Sequence, residues 1–175
     1  MIIRQDEGTP TSYPTISGLS TAADALNHDA LWKRIEDWIA YRFGEREVIW
    51  TVIGPGNFIP PLTPYTVDTS EKWNGSEFET VTLKDAPLGF ELDDATYRIT
   101  ATVGTTDDPP EAVVEAFTRL AEYLADDAQM SRTVNGQTIR LGSGVEYQAE
   151  RPNAWQARAL HLSGAADLLR GYRRP

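Results

Sequence analysis

Apolar residues along this chain fall into two rhythms. In "NHDALWKRIEDWIAYRFG", Leu31, Ile35, Trp38 and Ile39 recur at i, i+4, i+7 and i+8, the spacing that lines one face of a helix. Asn27 stands where an N-cap belongs, Asp29 suits the positive end of the helix, and Gly44 is a natural stop. The same period returns in "DDPPEAVVEAFTRLAEYLADD", where Val113, Phe117, Leu120, Ala121 and Leu124 form the buried stripe. Pro109 and Pro110 fit its first turn, where a missing N–H does no harm. A third helix is predicted over about 153–172, with Trp155, Ala159, Leu162, Ala166 and Leu169 at helical spacing.

Between the first two helices the rhythm shortens to two. "REVIWTVIG" is a β-branched and aromatic run ending at a turn, and "FETVTL" alternates. In "TYRITATV", Tyr97, Ile99, Ala101 and Val103 share one face. "FIPPLTPY" holds too many prolines for a central strand. The expected fold class is therefore α+β: a small three-helix bundle, with an antiparallel sheet of three to five strands inserted between its first and second helices, and an extended C-terminal tail. One domain is expected, built from an N-terminal arm (1–24), a helical core (25–44 and 105–128), the β insertion (45–104), a loop or β-ribbon (129–152) that carries an Asn-Gly hairpin signal, and the last helix with its tail (153–175).

Composition removes several kinds of chemistry. The chain has no cysteine, which excludes disulfides, thiolate metal sites and cysteine nucleophiles. Its two histidines, His28 and His161, have no companions at ligand spacing, so neither metal nor cofactor is expected. No run approaches the roughly 20 apolar residues of a membrane span. "MIIRQDEGTP" has acids where a signal peptide needs an apolar segment, so manufacture in a cytoplasm is expected. The net charge of −10 opposes general nucleic-acid binding. That charge is unevenly spread: residues 151–175 carry five arginines against Asp167 alone, a net of +4, and leave −14 on the rest.

Catalytic constellations are scarce. The acidic pairs Asp93–Asp94, Asp107–Asp108 and Asp126–Asp127 read as solvated turn residues sooner than as acid–base machinery or a cation site. His161 and Ser163 stand two apart, which on a helix sends them to different sides. No catalytic residue is expected, and the chain is read as a non-enzyme. Most aromatics of the β region, Trp50 and Phe78 among them, read as core, since aromatics bury the most area per residue. Trp73, in the polar "EKWNGSEF", is a candidate partner interface, so a small carbohydrate- or peptide-binding β-module stays open as an alternative.

Three stretches together, "REVIWTVIGPGNFIPPLTPY…WNGSEFETVTL", "YRITATVG…PPEAVVEAFTRLAEYLA" and the closing "SGAADLLRGYRRP", resemble phage head–tail connector (adaptor, or head completion) proteins. The likeness is strongest to the form found in gene transfer agents and related long-tailed phages, and it covers roughly residues 25–175. It implies a structural protein of the virion neck, assembled in the host bacterial cytoplasm. Such a protein forms a ring, commonly twelve-membered, that joins the portal to a stopper or other neck or tail protein, while DNA passes through the lumen without specific binding. The resemblance implies that the C-terminal segment contacts the portal, through Leu168, Leu169, Arg170, Tyr172, Arg173 and Arg174. At the level of sequence this segment has two open readings, an ordinary frayed basic terminus or a peg for a partner.

Overall fold

Alternating exposure is clearest in the strand Arg46–Ile53, where Arg46, Val48, Trp50 and Val52 are buried and the residues between them are not. The computed structural model describes residues 1–133, 138–141, 145–148 and 158–173, with side chains over 1–126 and 158–173. The chain divides into two compact units, one of residues 1–14 and 40–108, the other of residues 15–39 and 109–173.

The first unit is all β. In chain order its strands are β1 (Ile2–Glu7), β2 (Arg46–Ile53), β3 (Gly56–Phe58), β4 (Tyr65–Trp73), β5 (Phe78–Thr80), β6 (Lys84–Ala86), β7 (Gly89–Leu92) and β8 (Thr96–Val103). Five form an antiparallel sheet in the order β1-β2-β8-β4-β5, and three a second sheet in the order β3-β7-β6. In the β2–β8 ladder Val48 stands opposite Ala101, Trp50 opposite Ile99 and Val52 opposite Tyr97. These residues therefore share one face, and Phe58, Leu62 and Leu92 close over it to complete the core. The indole of Trp50, fully buried, satisfies its one donor by giving a hydrogen bond to Gln5 Oε1 at 3.0 Å. Gly89 turns β6 into β7 at φ +91°, and a Cβ there would lie 2.2 Å from the Phe58 carbonyl oxygen, so only glycine fits.

Glu7, at the end of β1, accepts hydrogen bonds from Arg42 Nε at 2.8 Å and Arg46 Nη1 at 2.9 Å, and both guanidiniums are buried. This carboxylate ties the edge strand to a segment some 35 residues later. Gly44, expected as a helix stop, lies instead in this unit, where a Cβ would come within 2.5 Å of the Ser12 carbonyl oxygen.

The second unit is helical: α1 (Thr21–Asp24), α2 (His28–Trp38), α3 (Glu111–Thr133), α4 (Ala159–Leu162), α5 (Ala165–Leu168) and a 3-10 turn over Leu169–Tyr172. A two-stranded ribbon pairs β9 (Thr138–Leu141) with β10 (Val145–Gln148). Asn27 caps α2 through its side-chain oxygen, which accepts from Ala30 N–H at 3.1 Å. The helix ends at Trp38, because Ile39 is already extended. Val113, Phe117, Leu120 and Ala121 of α3 are fully buried, and the Trp32 ring packs 4.9 Å from that of Phe117. Ser20 caps α1 and binds Glu122 of α3 twice, donating through its backbone N–H and its hydroxyl, each at 2.7 Å.

The expected three-helix bundle with one inserted sheet is not what the chain forms. Among the described residues the fold is mostly β, eight strands in two sheets besides the short ribbon, with five helices of which only α3 exceeds 11 residues. Two local features explain the difference. The arm supplies β1, and "YTVDTSEKW", which has no clean alternation of burial, forms the long strand β4 beside the centre of the sheet. The last helix is also broken: Gly164 takes the left-handed conformation (φ +76°, ψ 1°), which splits it into α4, α5 and the 3-10 turn. Leu162, expected in the buried stripe, is 52% exposed, while Ala159 and Leu160 of the same short helix are buried. Trp155, Arg174 and the Asn135–Gly136 turn lie outside the described residues.

Candidate functional site

Leu169 fixes the end of the helical unit. It is fully buried, together with Ala159, Leu160 and Ala165, so it anchors the 3-10 turn and offers no surface to a partner while the unit is folded. Leu168 and Tyr172 are half-buried, and Arg170 and Arg173 are exposed. Of the portal-contact candidates among the described residues, Arg170 and Arg173 are the exposed ones.

Both arginines open onto a depression of about 260 Å³, walled also by Trp38, His161 and Asp167. The Arg173 guanidinium carbon sits 4.3 Å from the centre of the Trp38 ring, a cation–π contact. His161 meets the same indole edge-on, with ring centres 4.8 Å apart and planes at 88°. Trp38 Nε1 is buried and finds no hydrogen-bond acceptor among the described residues. Neither arginine has an ion-pair partner among them either, although Arg119 on α3 pairs with Glu115 at 2.7 Å. By sequence Trp38 belongs to the stripe of its helix and His161 to no constellation; it is the fold that brings them beside Arg173. The basic run 170–174 was the signal available, and it marked one wall of the depression only.

Trp73, the second candidate, lies at the end of β4 in the other unit and is 40% exposed. Its ring packs against Phe78, directly opposite on β5, with centres 5.1 Å apart. The Arg98 guanidinium lies 4.4 Å from the Phe78 ring centre and donates to Glu71 at 2.6 Å. That hydrogen bond and the charge of Arg98 hold the Glu71 carboxyl below its ordinary range. The face of Phe78 is thus already covered, and Trp73 presents the accessible ring.

Of the acidic pairs, Asp93 is engaged by lysines. Asp93 accepts from Lys84 at 3.2 Å and lies 3.7 Å from Lys72, and the Lys84 contact keeps its carboxyl below the ordinary value. Lys84 is held above its own. A carboxyl so held stays ionised at neutral pH and has no proton to lend. Among the described residues no group of three or more His, Asp or Glu side chains converges to hold a metal, and no helix is long and apolar enough to cross a membrane. Comparison with protein-family models, with characterised proteins and with solved structures finds no match to this chain.

Proposed function

We propose that this chain is a head–tail adaptor, one subunit of a ring, twelve-membered by analogy with the proteins it resembles, that joins a portal to the next neck or tail protein. One observation carries the reading: an acidic chain holds two exposed arginines, Arg170 and Arg173, on a turn that buried Leu169 fastens to the helical unit. Arginine and tyrosine are enriched where proteins bind one another, and arginine pairs bidentately with carboxylates. Such a surface suits a protein that works by assembly. Rings are built from heterologous contacts, which need two different faces on each subunit. A basic end and an acidic remainder supply that asymmetry. The acidic remainder also suits a lumen that repels DNA phosphates and lets the genome slide.

The test is truncation just beyond the anchor. A chain lacking residues 170–175 is expected to keep its circular dichroism spectrum and melting profile, yet no longer to join portal-bearing heads. Normal joining by the truncated chain would refute the role given to Arg170 and Arg173, and failure of the full-length chain to join such heads would refute the adaptor itself. Starting the deletion at Leu168 would be a poorer experiment, since it removes a buried side chain and confounds folding with binding.

The exposed ring of Trp73 favours a second reading, a carbohydrate- or peptide-binding β-module. Titration of the free protein with glycans or peptides would then quench or shift tryptophan emission, and Trp73→Ala would abolish the change. A signal that survives the substitution counts against it.

A further inference from the structure

The depression beside Trp38 has an unbalanced wall. Arg170 and Arg173 supply two permanent cations and His161 an imidazole, against one carboxylate, that of Asp167. The two arginines lie on one turn, with Arg173 N–H donating to the Arg170 carbonyl at 3.4 Å. Stacking on Trp38 holds the Arg173 guanidinium in place while leaving its in-plane N–H groups to bind something else. The Trp38 indole N–H is itself buried and has no acceptor among the described residues, so it reports on changes at this wall without being open to a ligand. Donors therefore outnumber acceptors, and what is missing is an anion.

We propose that this depression receives a side-chain carboxylate, an aspartate or glutamate in an acidic segment of the partner protein. The size and charge of the site favour that anion over a phosphate. The two permanent cations against Asp167 leave a single fixed positive charge, which one carboxylate balances and a phosphate dianion overshoots. A nucleic-acid backbone would bring many charges toward a chain of net −10, which repels it. A volume of about 260 Å³ suits one inserted side chain. The planar fork of arginine matches the two oxygens of a carboxylate. Naming the partner as the portal rests on the adaptor reading; the carboxylate preference rests on the depression alone.

The indole N–H resonance of Trp38 reports on the site directly. In the full-length chain labelled with nitrogen-15, that resonance is assigned by its loss in Trp38→Phe. It is then followed during separate titrations with a hexaglutamate peptide, a hexaglutamine peptide, inorganic phosphate and a short DNA duplex. Hexaglutamate is expected to move it, and hexaglutamine to leave it in place. In the double variant Arg170→Gln with Arg173→Gln, the apparent affinity for hexaglutamate falls about tenfold or more, as loss of charged hydrogen bonds requires. The melting temperature of that variant, whose two changes are at exposed positions, stays that of the parent and shows the effect to be one of binding. Equal shifts with hexaglutamine, a stronger response to phosphate or DNA, or an unchanged affinity in the double variant would each overturn the inference. The two proposals fail separately. A full-length chain that does not join portal-bearing heads refutes the adaptor but leaves a Trp38 shift with hexaglutamate standing. A silent Trp38 beside lost joining refutes the carboxylate alone.

Discussion

The β unit and the C-terminal turn of the helical unit treat their arginines in opposite ways. In the β unit Arg4 is paired with Asp6, Arg42 and Arg46 share Glu7, and Arg98 is paired with Glu71. At the end of the helical unit Arg170 and Arg173 have no carboxylate partner among the described residues, and one of them lies on an indole. A guanidinium that already has its acid is part of the fold. One held in position without an acid is ready for another molecule's. The difference separates charge that builds the protein from charge that it presents.

The largest effect expected from breaking this contrast is at Glu7. Glu7→Ala withdraws the shared carboxylate from two buried guanidiniums, a change that typically destabilises by about 3–5 kcal/mol. Urea unfolding followed by tryptophan fluorescence measures it. A loss below about 1 kcal/mol would mean that the pair of arginines does not depend on this acid.

Next comes the helical unit, where anchor and display sit side by side. Leu169→Ala is expected to cost about 2–5 kcal/mol, as removal of a buried leucine does. Arg170→Ala and Arg173→Ala should stay within about 0.5 kcal/mol of the parent, the usual range for exposed positions. Equal losses at all three would erase the distinction drawn between anchor and contact.

The smallest effect is a matter of pH. Two hydrogen bonds from Ser20, the backbone N–H first, hold the Glu122 carboxyl below its ordinary value of 4.5. A carboxyl depressed on folding adds stability that is fully present above that value and lost as pH falls through the lower, folded one. Glu122→Gln should therefore lower the melting temperature slightly at pH 7 and flatten the acid limb of the profile below about pH 4.5, so that variant and parent converge at low pH. An unchanged acid limb would show that this link contributes nothing.

What could be read in the sequence was set by how much of each element is buried on one side. α2, the buried stripe of α3, and β8 announce themselves, because each buries one regular face. β1 does not, because its side chains are exposed or nearly so and what holds it is backbone pairing with β2 and the reach of Glu7 to Arg42 and Arg46. β4 is obscured by an irregular register between Val67 and Thr69, which throws its alternation out of step. The last helix looked continuous because hydrophobic spacing does not register a single left-handed glycine. At the candidate site, the arginines were visible as a cluster of charge. Trp38 was not, since it reaches the depression from a helix more than 120 residues earlier, and only the fold makes them neighbours.

β1 has one more consequence, for the behaviour of the protein in concentrated solution. It is an outer strand of its sheet, six residues long, and it begins with three exposed apolar side chains, Met1, Ile2 and Ile3, close to exposed Ile53 and Ile59. Bare strand edges of this kind invite pairing with other chains. Two features work against it: the register shift between Ile2 and Arg4 interrupts the flat ladder, and the charged Arg4 and Asp6 follow immediately on the exposed strand. Replacing both charged residues with valine would leave the fold its partners and give the edge an adhesive, aggregation-prone stripe. The charged pair at the edge of the sheet works against edge-to-edge pairing of copies of the chain.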